Sequence, residues 1–344
     1  MTSPLSWGIL STGRIAGVFA QGVARSKHGR VVAVGSRDRR TAEAFAARHG
    51  IPVAHASYEA LLADERVTAV YIATPHPMHV EWVVRAARAG KHVLCEKPIG
   101  MSRAEAVVAI DACRRAGVLL LEAYMYRGHP QTARLLEVVK GRVLGRIGSI
   151  QATFSFHSDY KAESRTWANA LGGGGILDVG GYPVSFVRLI AGAAVGRPFL
   201  EPSTLAGAAV LHPESGVDAY AAALLTFPGG VIAQVACGVG LVQNNAAWVY
   251  GSEGWLQVPV PWTPNREGGQ SRLLLQKRGA AQPEEIVVTT DEYMYGIEAD
   301  AFASALAAGL REVPQVTHDD TLGTMAALDQ WRAAVGLVYD AEKA

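Results

Sequence analysis

Cysteine is scarce in this sequence: Cys95, Cys113 and Cys237 are the only three in 344 residues. An odd number without CxxC spacing excludes a disulfide framework and a cysteine-based zinc site. Charge is scarce too. Charged residues make up 18% of the chain and nearly cancel, to a formal net charge of +1. A nucleic-acid binder carries a basic face or arm. Arg37, Arg39 and Arg40 form a local cluster, not a stripe. The start, Met1-Thr2-Ser3-Pro4, has no basic region, apolar run or twin arginine of the kind that marks a targeting segment. The apolar runs fall short of a bilayer span. The histidines show no metal-ligand spacing. These absences lead to the expectation of a reduced, cytoplasmic protein with no metal, no nucleic-acid partner and no membrane partner.

What is present is a chain with 49% hydrophobic residues, enough at this length for two cores. In the first third, short apolar runs (Leu5 to Leu10, Val31 to Val34, Ala69 to Ala73, His92 to Cys95, Val118 to Leu121) alternate with helical stripes. One stripe is Val80, Val83, Val84, Ala87, followed by Gly90 as a stop. Ser102 and Glu105 have capping-box spacing. Strands alternating with helices of about twelve residues predict βαβ units and a doubly wound parallel sheet of Rossmann type. Continuously apolar strands fit a sheet covered on both faces. From about Gly148 the grammar changes to alternating strands, with Gly229-Gly230 as a hairpin turn. One helix is expected from about Gly180 to Ile190 and two more at about Glu298–Ala308 and Asp320–Val338. The expected architecture is therefore α/β plus α+β. Residues 1–124 form a nucleotide-binding domain. Residues 125–344 form a domain with a large, mostly antiparallel open sheet, its last helices packing back on the first domain.

Three local patterns carry chemistry. In Trp7-Gly8-Ile9-Leu10-Ser11-Thr12-Gly13-Arg14-Ile15-Ala16 a strand turns into a helix, whose N-terminal N–H groups and positive dipole end suit a pyrophosphate. Gly13 fills the second glycine position of the G-x-G-x-x-G fingerprint and Ala16 the third, whereas Ser11 replaces the first. Ser11, Thr12, Gly13, Arg14 and Ile15 are therefore expected around phosphate. The next strand ends in Gly35-Ser36-Arg37, where an NAD enzyme places an acidic residue. Ser36 can hydrogen-bond and Arg37 can pair with a 2′-phosphate through its planar fork, with Arg40 adding charge. Asp38 lies one step too far and is expected to cap the following helix. The cofactor expected is NADP, with NAD the alternative. Then Glu96-Lys97-Pro98 follows a strand at the carboxyl end of the sheet, where ligands bind. Lastly, Gly172-Gly173-Gly174-Gly175 precedes Ile176-Leu177-Asp178-Val179-Gly180-Gly181-Tyr182-Pro183. Pro183 suits a first helical turn, so Asp178 is expected near the helix cap and Tyr182 near a ligand.

Taken in order, GILSTGRIA, GSRD, YIATPHPMH, GKHVLCEKP, EAYMYR and GGGGILDVGGYP resemble the glucose–fructose oxidoreductase / inositol dehydrogenase (Gfo/Idh/MocA) family over essentially the whole chain. The subset with dimeric dihydrodiol dehydrogenase and NADP-dependent D-xylose dehydrogenases shares Ser at the Ser11 position and Tyr at the Tyr182 position. The resemblance implies hydride transfer between a ring secondary alcohol (a sugar, cyclic polyol or dihydrodiol) and a nicotinamide. It implies Tyr182 as general acid/base, Lys97 beside the reacting carbon, and Asp178 lining the site. Thr74, Pro75, His76 and His79 would border the nicotinamide, with Glu96 beside Lys97. A homodimer or homotetramer follows from the same resemblance. Substrate contacts are expected among Arg127, Asp159, Arg165, Trp167 and Asn169. Two further readings stay open: a keto- or anhydro-sugar reductase, and a relative that retains NAD to cleave glycosidic bonds.

Overall fold

The computed structural model describes residues 4–342. Met1, Thr2 and Ser3, on which the targeting reading mainly rests, lie outside the described residues. The chain divides into two compact units, each discontinuous in sequence. One comprises residues through His129 with Asn265–Gly268 and Asp291–Thr321; the other comprises Pro130–Pro264, Gly269–Thr290 and residues from Leu322 onward.

The first unit is built on β1 (Leu5–Leu10), β2 (Gly29–Gly35), β3 (Val53–His55), β4 (Ala69–Ile72), β5 (His92–Glu96) and β6 (Leu120–Ala123). They form one sheet in the order β3-β2-β1-β4-β5-β6, with every pairing parallel. Its helices are α1 (Arg14–Val23), α2 (Arg39–His49), α3 (Tyr58–Leu62), α4 (His79–Arg88) and α5 (Arg103–Ala116). All four residues of β4 are buried, as a strand covered on both faces requires. Aromatic rings fill one side: Trp7 meets Phe19 edge-on at 5.3 Å, and Phe19 stacks on Tyr71 at 3.8 Å. Two expected caps are present. Asp38 accepts the Thr41 N–H at 2.8 Å, and Ser102 accepts the Glu105 N–H at 3.3 Å.

The second unit carries β7 (Ile147–Ser155), β8 (Thr204–Leu211), β9 (Asp218–Thr226), β10 (Ile232–Gly238), β11 (Ala247–Gly251), β12 (Gly254–Val258), β13 (Gly269–Lys277) and β14 (Glu284–Thr290). The sheet order is β14-β13-β12-β11-β7-β10-β9-β8. It is antiparallel except where β10 runs parallel to β7. Against it lie α6 (Pro130–Lys140), which the periodicity did not single out, and α7 (Gly181–Ala194). The remaining helices are α8 (Met294–Ala307) and α9 (His318–Ala334). Helix α8 belongs to the first unit. There Phe302 packs on Trp7 at 5.0 Å, and a Cβ on Gly22 would run into Tyr295.

One expectation is corrected here. The stretch Asn169–Ala194 is long and apolar enough to span a bilayer, contrary to the reading of the apolar runs. Its apolar window is entirely buried inside the protein, and α7 within it is a core helix of the second unit. The helix itself begins near Gly180, as expected. Residues Ile176–Gly180 form a π-helical turn that leads directly into α7, and Asp178 lies within that turn. The Asp178 carboxylate faces Arg165.

Candidate active site

In the first unit, the expected ligand-binding residues gather at the carboxyl ends of β1, β2, β4 and β5. Ser11 follows β1 with φ +106°, a conformation that favours glycine because a Cβ is strained there. The loop thus keeps the backbone shape of the missing first glycine. The Ser11 N–H donates to the Gly35 carbonyl at 3.1 Å, and its Oγ accepts the Gly13 N–H at 3.3 Å. Gly13 then starts α1 with no side-chain cap and no acidic residue in the first turn. A Cβ on Gly13 would meet only Ser11 Oγ, at 3.6 Å. A helix start of this kind has N–H groups without intrahelical acceptors, a positive dipole end and open space, which together suit an anion. Thr12 and Ile15 are half-buried and Arg14 is exposed.

At the end of β2, Ser36 is buried and its Oγ accepts the Asp38 N–H at 3.3 Å. Arg37 and Arg40 are exposed. Burial raises the pKa of the Tyr58 hydroxyl overall, against the opposing pull of the nearby Arg37 charge. At the end of β4, Thr74 is buried and its Oγ1 has no hydrogen-bond partner. Pro75 leads into a single 3-10 turn, His76–Met78. His79, fully buried, lies 2.8 Å from the Thr74 carbonyl and 2.7 Å from the Pro98 carbonyl. It therefore ties the end of β4 to the corner after β5. That corner holds half-buried Lys97, joined to Pro98 by a cis peptide bond. Glu96 accepts the Tyr71 hydroxyl and the Lys97 N–H, and Glu122 accepts the Ile99 N–H at 3.0 Å. Two buried carboxylates thus fix the backbone on either side of Lys97. Arg127 is buried and ion-paired with Asp320 at 2.7 Å.

In the second unit the glycine run forms a tight turn. Gly172 and Gly174 have φ of +68° and +98°. A Cβ on Gly173 would press on the Thr166 carbonyl, and one on Gly174 would overlap the Asp218 carboxylate. Asp178, buried, receives two parallel hydrogen bonds from Arg165, at 3.1 and 3.0 Å. Tyr182, 4% exposed, has an aromatic wall beside it. Phe154 lies edge-on at 5.0 Å and Trp262 tilts toward it at 5.8 Å. The Trp262 Nε1–H donates to the Thr153 carbonyl at 2.8 Å, which fixes its ring. Trp167 is buried, with its Nε1–H on the Ser158 carbonyl at 3.2 Å and its ring tilted on His212 at 5.3 Å. Asn169 hydrogen-bonds the backbone of Val338 and Asp340. Asp159 is exposed.

Reasoning from sequence misses Glu122, Phe154, Asp218 and Trp262. Phe154 reads as one more strand residue, Trp262 sits in a loop, and Asp218 looks like a turn residue opening β9. None has a local signal that separates it from a structural role.

Comparisons with known proteins agree with this arrangement of elements. A family model described as "Oxidoreductase family, NAD-binding Rossmann fold" matches residues 5–124. A "GFO/IDH/MocA C-terminal domain" model matches residues 132–257. The chain is 34% identical to a trans-1,2-dihydrobenzene-1,2-diol dehydrogenase of Mus musculus, covering 98% of this chain and 99% of the relative. It is 33% identical to a D-xylose 1-dehydrogenase (NADP(+)) of Haloferax volcanii, covering 94% and 95%. Among solved structures it is similar to a 3-ketoreductase from Actinomadura kijaniata in complex with TDP-benzene and NADP. That likeness has a TM-score of 0.84 and 28% identity over 97% of this chain and 98% of the other.

Proposed function

The chain belongs to the Gfo/Idh/MocA oxidoreductase family, and from that premise we propose that it is an NADP-dependent enzyme acting on CH–OH groups of a sugar, cyclic polyol or cyclic diol. The observation that carries the reading is the uncapped start of α1 beside a serine held in a glycine conformation. Together with the unpartnered Thr74 Oγ1, it fits a dinucleotide whose phosphates need N–H donors and whose amide end needs polar partners. Ser11, Thr12, Gly13, Arg14 and Ile15 hold the pyrophosphate. Ser36, Arg37 and Arg40 take the 2′-phosphate. Thr74, Pro75, His76, His79 and Glu96 border the nicotinamide end. When bound, the nicotinamide supplies the hydride acceptor or donor.

The chain's own residues handle the proton and the charge. Tyr182 takes the hydroxyl proton during oxidation and returns it during reduction. An isolated tyrosine, at pKa ~10, is a weak base at neutral pH. Lys97 supplies the positive charge that stabilises a developing alkoxide. Asp178 orients the substrate hydroxyls, with Arg165 holding its carboxylate. Half-buried Phe154, backed by the buried Trp262 ring, offers an apolar face, which suits the C–H face of a sugar ring or the plane of a cyclic diol. Likeness to a 3-ketoreductase favours, as a second reading, the reduction of a ring ketone by the same residues.

The exposed face of the eight-stranded sheet supports assembly as a homodimer or homotetramer. It presents Val210, Tyr220, Leu224 and Ile232 around a shallow groove lined by Ala206, Ala208 and Ala222. The functional reading is tested with a panel of aldoses, cyclic polyols and trans-diols, each with NADP and with NAD, followed by NADPH or NADH absorbance. Turnover of ring alcohols with NADP supports it. A panel without turnover, together with no binding of NADPH, defeats it.

A further inference from the structure

Asp218 opens β9 inside the second unit with no solvent exposure. Its Oδ2 accepts the Ile176 N–H at 2.8 Å, and the Gly175 N–H and its own N–H also point to the carboxyl. Oδ1 has no hydrogen-bond partner. The surrounding backbone is shaped to this side chain. A Cβ on Gly174 would overlap Oδ1, and one on Gly175 would come within 3.1 Å of Oδ2. Gly174 also has φ +98°, where any side chain is strained. Gly174 and Gly175 thus let one buried carboxyl reach the first N–H groups of the turn. That turn carries Asp178 two residues later and Tyr182 one helical turn beyond.

We propose that Asp218 is a positioning residue for the reaction, whose ionised carboxylate holds the glycine turn in the form that places Asp178 and Tyr182. The proposal rests on the functional reading above. A carboxylate accepts N–H groups more strongly than a neutral acid does, so ionisation strengthens each bond to the turn, although the buried site disfavours the charge. Other titratable groups face Asp218 from each neighbouring element. Asp178 comes from the π-helical turn, Cys237 from β10, and Tyr339 from the C-terminal segment, where its hydroxyl donates to the Gly173 carbonyl at 2.7 Å. Burial, with Asp178 adding to it, raises the Asp218 pKa from 3.8 to about 7, while the backbone N–H groups pull it down. The group therefore changes charge in the neutral range.

The test is Asp218→Asn, which keeps the shape and one acceptor oxygen but cannot ionise. Wild type and variant are compared with NADP and with D-xylose and trans-1,2-cyclohexanediol as probes, beside Tyr182→Phe. Wild-type kcat should rise about tenfold between about pH 6 and pH 8 along a limb with a midpoint near 7, as a single ionisation dictates. In the variant that limb should vanish and kcat should be lower at pH 8, with NADPH affinity unchanged. Superimposable profiles overturn the proposal. Thermal unfolding gives a second measurement that needs no substrate. A carboxyl whose pKa is raised by folding contributes stability below its unfolded value, and that contribution is lost as pH rises through the folded value. Relative to wild type, the Tm of the variant should therefore climb from about pH 4 to about pH 8; a constant difference overturns the ionisation. Turnover by wild type that Tyr182→Phe does not reduce counts against the functional reading instead.

Discussion

Arg165 grips the buried Asp178 carboxylate with two parallel hydrogen bonds, while 45% of its own side chain stays exposed. A fork of this kind fixes the carboxylate plane as well as its position. Replacing Arg165 by Ala leaves a charge in a buried place with a partner lost. The full penalty for breaking a buried pair is ~3–5 kcal/mol. Solvent at the arginine reduces it to roughly 1–2 kcal/mol. Arg165→Lys should restore charge but not the fork. Urea midpoints and kcat for both variants check this, and a lysine variant equal to wild type in both would remove the fork from the account.

Tyr182→Phe deletes one oxygen from a ring seated against Phe154 and Trp262. Packing should survive, so Tm should stay within a few degrees. With the proton donor gone, kcat should fall by ~10² or more, with NADPH affinity unchanged. Near-normal turnover would mean that another group moves the proton.

Arg37 is exposed at the end of β2, and Asp38 beside it is committed to capping α2. A charge-assisted hydrogen bond contributes ~1.5–3 kcal/mol. Arg37→Ala should therefore lower the ratio of kcat/KM with NADP to kcat/KM with NAD by about 10- to 100-fold. A ratio that stays put would move recognition of the 2′-phosphate away from this residue.

Ser11 holds a backbone conformation that glycine adopts without strain. Ser11→Gly relieves ~1 kcal/mol of strain but frees the unfolded chain by a similar amount, so Tm and NADPH affinity should change little. Ser11→Val adds a β-branched side chain in the same conformation and should weaken NADPH binding at least tenfold. Fluorescence titration with NADPH separates the two. Equal affinities for both would show that the loop does not depend on this backbone shape.

The sequence by itself determined what neighbouring residues decide. Alternation of short apolar runs with helical stripes dictated the parallel sheet, because a strand buried on both faces is apolar along nearly all its length. Asp38 and Ser102 announced their helices, because a cap bonds an N–H only three residues away. The loop at Ser11–Gly13 and the Glu96-Lys97-Pro98 corner were legible for the same reason. Tertiary structure decided the rest. Asp218 lies 42 residues from the N–H it accepts, so nothing near it in sequence marks it as the neighbour that Gly174 and Gly175 make room for. Trp262 meets Tyr182 from a loop eighty residues on, and α8 joins the first unit from the far end of the chain. Asp178 sits just before the helix start, as the local pattern dictates, but only the fold brings Arg165 to its carboxylate with two charged donors, because that partner comes from outside the helix.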